Sequence, residues 1–196
     1  MRVIAGEAKG HILKGPPSSA TRPMTDKIRQ ALFSTLASLG VVPERVLDLY
    51  AGTGSIGIEA LSRGARWADF VEQSAAACRV IRANLAHTKF TDRARVHHVP
   101  VASFLQRNEA PYDLIIMDPP YADPTIVQTL EKVAASPLVQ SGTVVVVGHS
   151  PRVALPDTVG RLVRLRLRCH GDSCFSIYEA DAEGAPGDNS TSETTE

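Results

Sequence analysis

An α/β domain built on a mainly parallel sheet is the fold this sequence predicts, and three observations predict it. Apolar β-type runs alternate with amphipathic helical stretches from residue 45 onward, the pattern of a parallel sheet covered by helices on both faces. The first run leads directly into a glycine-rich turn. The last two runs are joined only by residues 170–172, too few for a parallel crossover, so that pair is expected to be antiparallel.

At the N-terminus, RVIAGEAKGHIL holds two short extended runs around a turn region, which predicts a small β-hairpin outside the main domain. GPPSSATRP reads as a linker, so residues 1–20 form hairpin and linker and 21–180 the main domain. From Thr25 the pattern turns helical. Ile28, Ala31, Leu32, Thr35, Leu36 and Leu39 recur at steps of three and four, with Thr25 capping the start and Gly40 the end. Lys27 and Arg29 fall off that stripe and are expected to face a partner. RVLDLY (45–50), WADFVE (67–72), ARVHHV (94–99), YDLIIMD (112–118) and TVVVVG (143–148) supply the strands of the alternation. Helices lie between them at SIGIEALSRG, ending at Gly64, at SAAACRVIRANLAH, capped by Ser74, and near 102–107 and 125–135. RLVRLRLRC and SCFSIYEA form the closing pair.

Composition narrows the function classes. With 196 residues, 43% of them apolar, the chain can bury one sizeable core. No apolar stretch approaches the roughly 20 residues of a membrane span, and MRVIAGEAKG lacks the apolar centre of a signal peptide, so a cytoplasmic protein is expected. Cys78, Cys169 and Cys174 are scattered and odd in number, which predicts reduced thiols and neither a disulfide framework nor a metal site. The net charge of zero conceals an asymmetry. Residues 181–196 hold five acids and no base and read as a disordered tail, leaving a body of net charge +5. Six of its bases, Arg2, Lys9, Lys14, Arg22, Lys27 and Arg29, fall within the first 29 residues, which suits an anionic partner such as nucleic acid.

Two motifs carry chemistry. In DLYAGTGSIG, glycines at 52, 54 and 57 give G-x-G-x-x-G directly after a strand, and Glu72 ends the next strand 20 residues beyond Gly52. Glycine lets backbone approach a nucleoside, and a carboxylate at that strand end accepts from ribose hydroxyls, so an adenosine-containing cofactor is expected. A nicotinamide cofactor would use the same residues. Asp48, four residues before Gly52, disfavours an anionic pyrophosphate and suits the sulfonium of S-adenosylmethionine. The second motif, DLIIMDPPY, ends an apolar strand at the same edge of the sheet. A conjugated exocyclic amine is a poor nucleophile because its lone pair is delocalised. Asp118 and the Pro119 carbonyl can accept its two hydrogens, Pro119 and Pro120 hold the loop rigid, and Tyr121 offers a face on which a flipped base stacks.

Asp-Pro-Pro-Tyr after an apolar strand resembles the signature of methyltransferases acting on exocyclic amines. Together with DLYAGTGSIGIEALSRGA, RVIAGEAKGHIL, RPMTDKIRQALFSTL and GDSCFSIYE, the chain resembles the ribosomal RNA small subunit methyltransferase D family over roughly residues 1 to 180. The resemblance implies the class I S-adenosylmethionine-dependent methyltransferase (Rossmann-like) fold: a seven-stranded, mainly parallel sheet with an antiparallel last strand, plus the N-terminal β-hairpin. It implies methylation of a guanine N2 in 16S ribosomal RNA of an assembled or nearly assembled small subunit, with neighbouring ribosomal proteins as further contacts. The sequence itself gives no strong sign of an oligomer interface, so a monomer is the default. Carried over by position, Asp48, Leu49, Tyr50, Ala51, Gly52 and Gly54 line the cofactor, with Glu72 and Gln73 at its ribose. Val101, Ala102 and Ser103 lie toward its adenine; Val101 cannot supply the polar side chain that relatives commonly place there, so backbone groups or Ser103 are expected to make that contact. Asp118, Pro119, Pro120 and Tyr121 form the amine site, and Arg2, Lys9, Lys14, Arg22, Thr25, Lys27 and Arg29 face the RNA. Met24 and Gln30 depart from the Thr and Glu frequent in relatives.

Other readings explain less. A DNA adenine-N6 methyltransferase shares the amine chemistry, but so short a chain shows no added target-recognition domain. A nicotinamide-dependent oxidoreductase leaves Asp-Pro-Pro-Tyr unexplained, and a non-catalytic RNA-binding module leaves both strand-end motifs unexplained. His97 and His98 point to opposite faces of a strand and read as filler. Arg164, Arg166 and Arg168 alternate with leucines and read as one solvated strand face.

Overall fold

The computed structural model describes residues 1–19, 22–107, 110–121 and 123–182. All but the first two residues of the expected acidic tail lie outside that set. One sheet organises the domain: β1 (Arg45–Leu49), β2 (Trp67–Glu72), β3 (Ala94–His98), β4 (Leu114–Met117), β5 (Val144–His149), β6 (Thr158–Val159), β7 (Leu162–His170) and β8 (Ser173–Ala180). Their order is β3-β2-β1-β4-β5-β8-β7-β6. β1 to β5 are mutually parallel, β8 runs antiparallel between β5 and β7, and the two-residue β6 is an edge strand the sequence pattern did not reveal.

Because successive residues of a strand face opposite ways, each central strand feeds two cores. Val46, Phe70, Ile116, Val146 and Ile177 pack under α1 (Asp26–Ser38), α2 (Ser55–Ser62) and α3 (Ala75–Thr88). Leu47, Val71, Ile115, Val147 and Tyr178 pack under α4 (Val101–Phe104) and α5 (Ile126–Ala135). The expected caps form: the Thr25 and Ser74 hydroxyls accept from the N–H groups of Ile28 and Ala77. No helix among the described residues is long and apolar enough to cross a membrane.

Three expectations need correction. The N-terminal segment does pair with itself, through the antiparallel bridge of Arg2 and Ile12, but it does not stand outside the core. Val3, Ala8 and Leu13 are buried in the cluster under α1, α2 and α3. Arg29 is fully buried. It follows the i, i+3, i+4, i+7 spacing of Leu32, Phe33 and Leu36, so it lies within the buried stripe, where burial lowers its pKa while Glu59 and Asp26 support the charge. Finally, Cys169 and Cys174 form a disulfide, because the β7–β8 register sets them directly opposite with Cα atoms 4.0 Å apart. Only Cys78 is a buried free thiol.

Candidate active site

The carboxyl ends of β1, β2 and β4 are neighbours in the sheet, and each brings one acid to the same crevice. Asp48, the penultimate residue of β1, is 1% exposed, and its Oδ2 accepts from the Gly57 N–H at 2.9 Å. Burial pushes its carboxyl well above the usual carboxylate range, the Gly57 N–H opposes that, and the charges of Asp118 and Glu72 add to it. Such a crowd of carboxylates repels anions and stabilises a cation.

The glycines are explained by close approach. At Gly57 a Cβ would stand 2.4 Å from the Phe70 ring and 3.1 Å from Asp48 Oδ2, so only glycine lets α2 seat against both. Gly52 and Gly54 adopt φ of 57° and 77°, conformations that cost a side-chain-bearing residue. Tyr50 also sits at positive φ, 57°, where β1 gives way to the turn. Glu72 straps this turn to β2: Oε2 accepts from Gly52 N–H at 2.9 Å and Oε1 from Ser74 N–H at 2.8 Å. Leu49 is buried in the α4–α5 core, so its backbone alone can face a ligand, while the Ala51 N–H bonds the Val71 carbonyl. Gln73 is exposed, its carbonyl accepting from His98 Nε2 at 3.0 Å. Val101 is buried, whereas Ala102 and Ser103 are exposed on α4.

Asp118 follows β4 directly. Its Oδ1 is enclosed and has no hydrogen-bond partner, and burial pushes its carboxyl up to about 7. The enclosure comes partly from β5: a Cβ on Gly148 would lie 2.2 Å from that oxygen. Pro119 is buried, Pro120 exposed, and Tyr121 is 40% exposed with its hydroxyl in hydrogen-bonding reach of the Ser173 side chain. A carboxylate with one free, desolvated acceptor beside an accessible aromatic face can orient a donor such as an amine.

Of the bases expected to face RNA, Arg2, Lys9, Lys14, Arg22 and Lys27 are exposed, as is the cap Thr25. Arg29 is not among them; its guanidinium donates to the Arg2 carbonyl and, at 3.1 Å, to Asp26. It belongs to a clamp that the sequence reading missed. Glu59, buried on α2, accepts from the N–H groups of Ile4 and Ala5 at 2.9 and 3.1 Å and pairs with Arg63 at 2.9 Å. Ser62 accepts from Ala8 N–H and donates to the Ala5 carbonyl. Asn84 of α3 accepts from Lys14 N–H at 2.8 Å and donates to the Thr53 carbonyl at 2.9 Å, joining the N-terminal segment to the glycine turn. A lone acid inside the apolar run of α2 was the available signal for this clamp.

A second missed network lies beneath α4. Asp69 accepts from His97 Nε2 at 2.7 Å, Tyr112 at 2.8 Å and Trp67 Nε1 at 2.8 Å. Burial opposes its charge, yet these donors hold it below the usual carboxylate range. His97 is therefore a buried structural partner, not filler.

The family model described as conserved hypothetical protein 95 matches residues 1–179. Ribosomal RNA small subunit methyltransferase D of Escherichia coli (strain K12) is 30% identical over 184 residues, spanning 94% of this chain and 92% of that protein. The Bacillus subtilis (strain 168) protein YlbH is 34% identical over 182 residues, spanning 91% and 98%. The solved structure of Escherichia coli yhhF superposes with a TM-score of 0.82 at 29% identity, covering 93% of this chain and 99% of that one.

Proposed function

Because the chain belongs to the conserved hypothetical protein 95 family, the family of ribosomal RNA small subunit methyltransferase D, we propose that it methylates small-subunit ribosomal RNA. The reaction we propose is transfer of a methyl group from S-adenosylmethionine to the exocyclic N2 amine of a guanine in 16S RNA, within an assembled or nearly assembled subunit. The single observation that carries the amine chemistry is Asp118: an enclosed, unpartnered oxygen at the carboxyl end of β4, followed by a rigid proline pair and an accessible tyrosine ring.

The residues present fit the cofactor. Asp48, Glu72 and Asp118 make a field suited to a cation and hostile to pyrophosphate, which favours a sulfonium compound over a dinucleotide. Glu72, Gln73 and the turn from Leu49 to Gly54 would hold the nucleoside and methionine portions, with Val101, Ala102 and Ser103 toward the adenine. When bound, S-adenosylmethionine supplies an electrophilic methyl group. Asp118 and the Pro119 carbonyl accept the two amine hydrogens, which favours a more tetrahedral nitrogen, and Tyr121 stacks on the base. Fixing that nitrogen in place removes much of the entropic barrier to displacement. Asp118 thus acts as orienter and acceptor.

The test is methyl transfer from labelled S-adenosylmethionine to unmodified small subunits, followed by mass spectrometry of the digested nucleosides. N2-methylguanosine is expected with the wild type and none with Asp118→Ala, whose cofactor affinity is retained. Label appearing as N6-methyladenosine, or an active Asp118→Ala enzyme, would overturn the reading.

A further inference from the structure

The alternation of arginine and leucine from Arg164 to Arg168 predicts a single basic strand face, and a β-bulge between Arg164 and Arg166 breaks it. Before the bulge Arg164 lies opposite Tyr178; beyond it Arg166 lies opposite Ile177 and Arg168 opposite Phe175. Directly opposed residues project to the same face. Tyr178 belongs to the core under α4 and α5, whereas Ile177 and Phe175 belong to the core under α1. The bulge therefore sends Arg164 to one side of the sheet and Arg166 and Arg168 to the other. Bulges beside functional sites commonly re-aim side chains in this way.

The two sides use their arginines differently. Arg164 is engaged by an ion pair with Asp157 and a hydrogen bond to the Leu155 carbonyl. Arg166 and Arg168 are exposed, and each donates to the carbonyl of its preceding residue, at 2.7 and 3.1 Å. Among the described residues neither has a carboxylate within 4.0 Å.

Two antiparallel steps separate β7 from β5, so β7 points the same way as β4 and its end reaches the crevice edge. Arg168 is followed there by the Cys169–Cys174 bridge and by Ser173, the hydrogen-bonding neighbour of Tyr121. Arg22 also acts electrostatically on the Tyr121 hydroxyl. Basic groups from the N-terminal segment and from β7 therefore both stand near the amine site. Two residues apart on a strand, Arg166 and Arg168 are spaced roughly 6.6 Å, within reach of successive phosphates of one nucleic-acid strand.

Resting on the RNA-methyltransferase reading, we propose that Arg166 and Arg168 grip the phosphate backbone of the RNA strand as it leaves the amine site. The contact is electrostatic and sequence-independent. It gives the substrate an anchor on β7 in addition to the basic N-terminal segment.

The test is equilibrium binding of the full chain to unmodified small subunits and to protein-free small-subunit RNA across a salt series. An Arg166→Gln/Arg168→Gln variant is compared with wild type, and Arg164→Gln serves as the opposite-face control. Loss of two phosphate contacts lowers the slope of log affinity against log salt by roughly 1.4 to 1.8, with the curves converging at high salt. That reduction is expected on both RNAs, with an unchanged melting temperature and a wild-type slope for Arg164→Gln. An unaltered slope in the double variant overturns the proposal. So does a loss confined to intact subunits, which assigns the arginines to a ribosomal protein instead. Wild-type methylation of the same subunits is read alongside: an enzyme that binds but transfers no methyl group sinks the reaction class while the arginine result still stands or falls by its slope.

Discussion

Replacing Asp118 by Asn should make the protein more stable and nearly inactive, and both halves of that outcome follow from one enclosed oxygen. Burial raises the Asp118 carboxyl to about 7, against roughly 4 in an unfolded chain. A group whose folded pKa is raised contributes stability that is complete below its unfolded pKa and is lost as pH climbs through the folded value. For Asp118 that window runs from about pH 4 to about pH 7. At about 1.4 kcal/mol per pH unit the full loss approaches 4 kcal/mol. Solvent reaching the outer part of the residue reduces this to on the order of 2 kcal/mol. Asn keeps the shape without the charge, so Asp118→Asn should match wild type near pH 4. At pH 8 it should melt roughly 4 to 8 °C higher. Thermal unfolding followed by circular dichroism at pH 4, 6 and 8, without cofactor, measures the difference. The Asp118 charge also pushes the Asp48 carboxyl upward, so its removal relieves Asp48 too and acts in the same stabilising direction. Methyl transfer should fall about a hundredfold, because the amide keeps a single neutral acceptor oxygen where the amine meets a charged carboxylate. An Asn variant no more stable than wild type at pH 8 would refute the claim that Asp118 is held enclosed and unpaired.

Two further substitutions probe the same framework. Gly148→Ala places a methyl group 2.2 Å from Asp118 Oδ1, so it should displace the carboxylate and cut turnover by about tenfold to a hundredfold. Calorimetric titration should show cofactor affinity within about threefold of wild type. Glu59→Ala leaves Arg29 buried without its main counter-charge and frees the N–H groups of Ile4 and Ala5, at a cost of about 3 to 5 kcal/mol in urea unfolding. A loss below about 1 kcal/mol would mean that the clamp is decorative.

The sequence made the central alternation legible because each strand from β1 to β5 is a concentrated apolar run and each intervening helix keeps its period. Asp48, Glu72 and Asp118 were legible for a related reason: an acid ending an apolar strand has a place in a parallel sheet that topology alone assigns. What stayed hidden depended on distant partners. Arg29 looked available until Glu59, 30 residues further on, turned out to face it, and Gly148 gained meaning only once β5 lay beside β4. Cys169 and Cys174 looked like scattered thiols because their separation says nothing until the hairpin register is known. The arginine stripe of β7 misled because periodicity assumes an uninterrupted ladder, and one extra residue reverses it.

The clamp on the N-terminal segment also bears on how the chain acquires its shape during synthesis. Residues 1–14 leave the ribosome before the groups that seat them, which lie 54 to 70 residues later, at Glu59, Ser62 and Asn84. Until α2 and α3 have formed, their backbone donors have only water to bind, and contacts of such long separation form slowly. A segment made before its partners is therefore among the last to be placed. A graft of this segment onto another methyltransferase would fail unless Glu59 and Asn84 went with it.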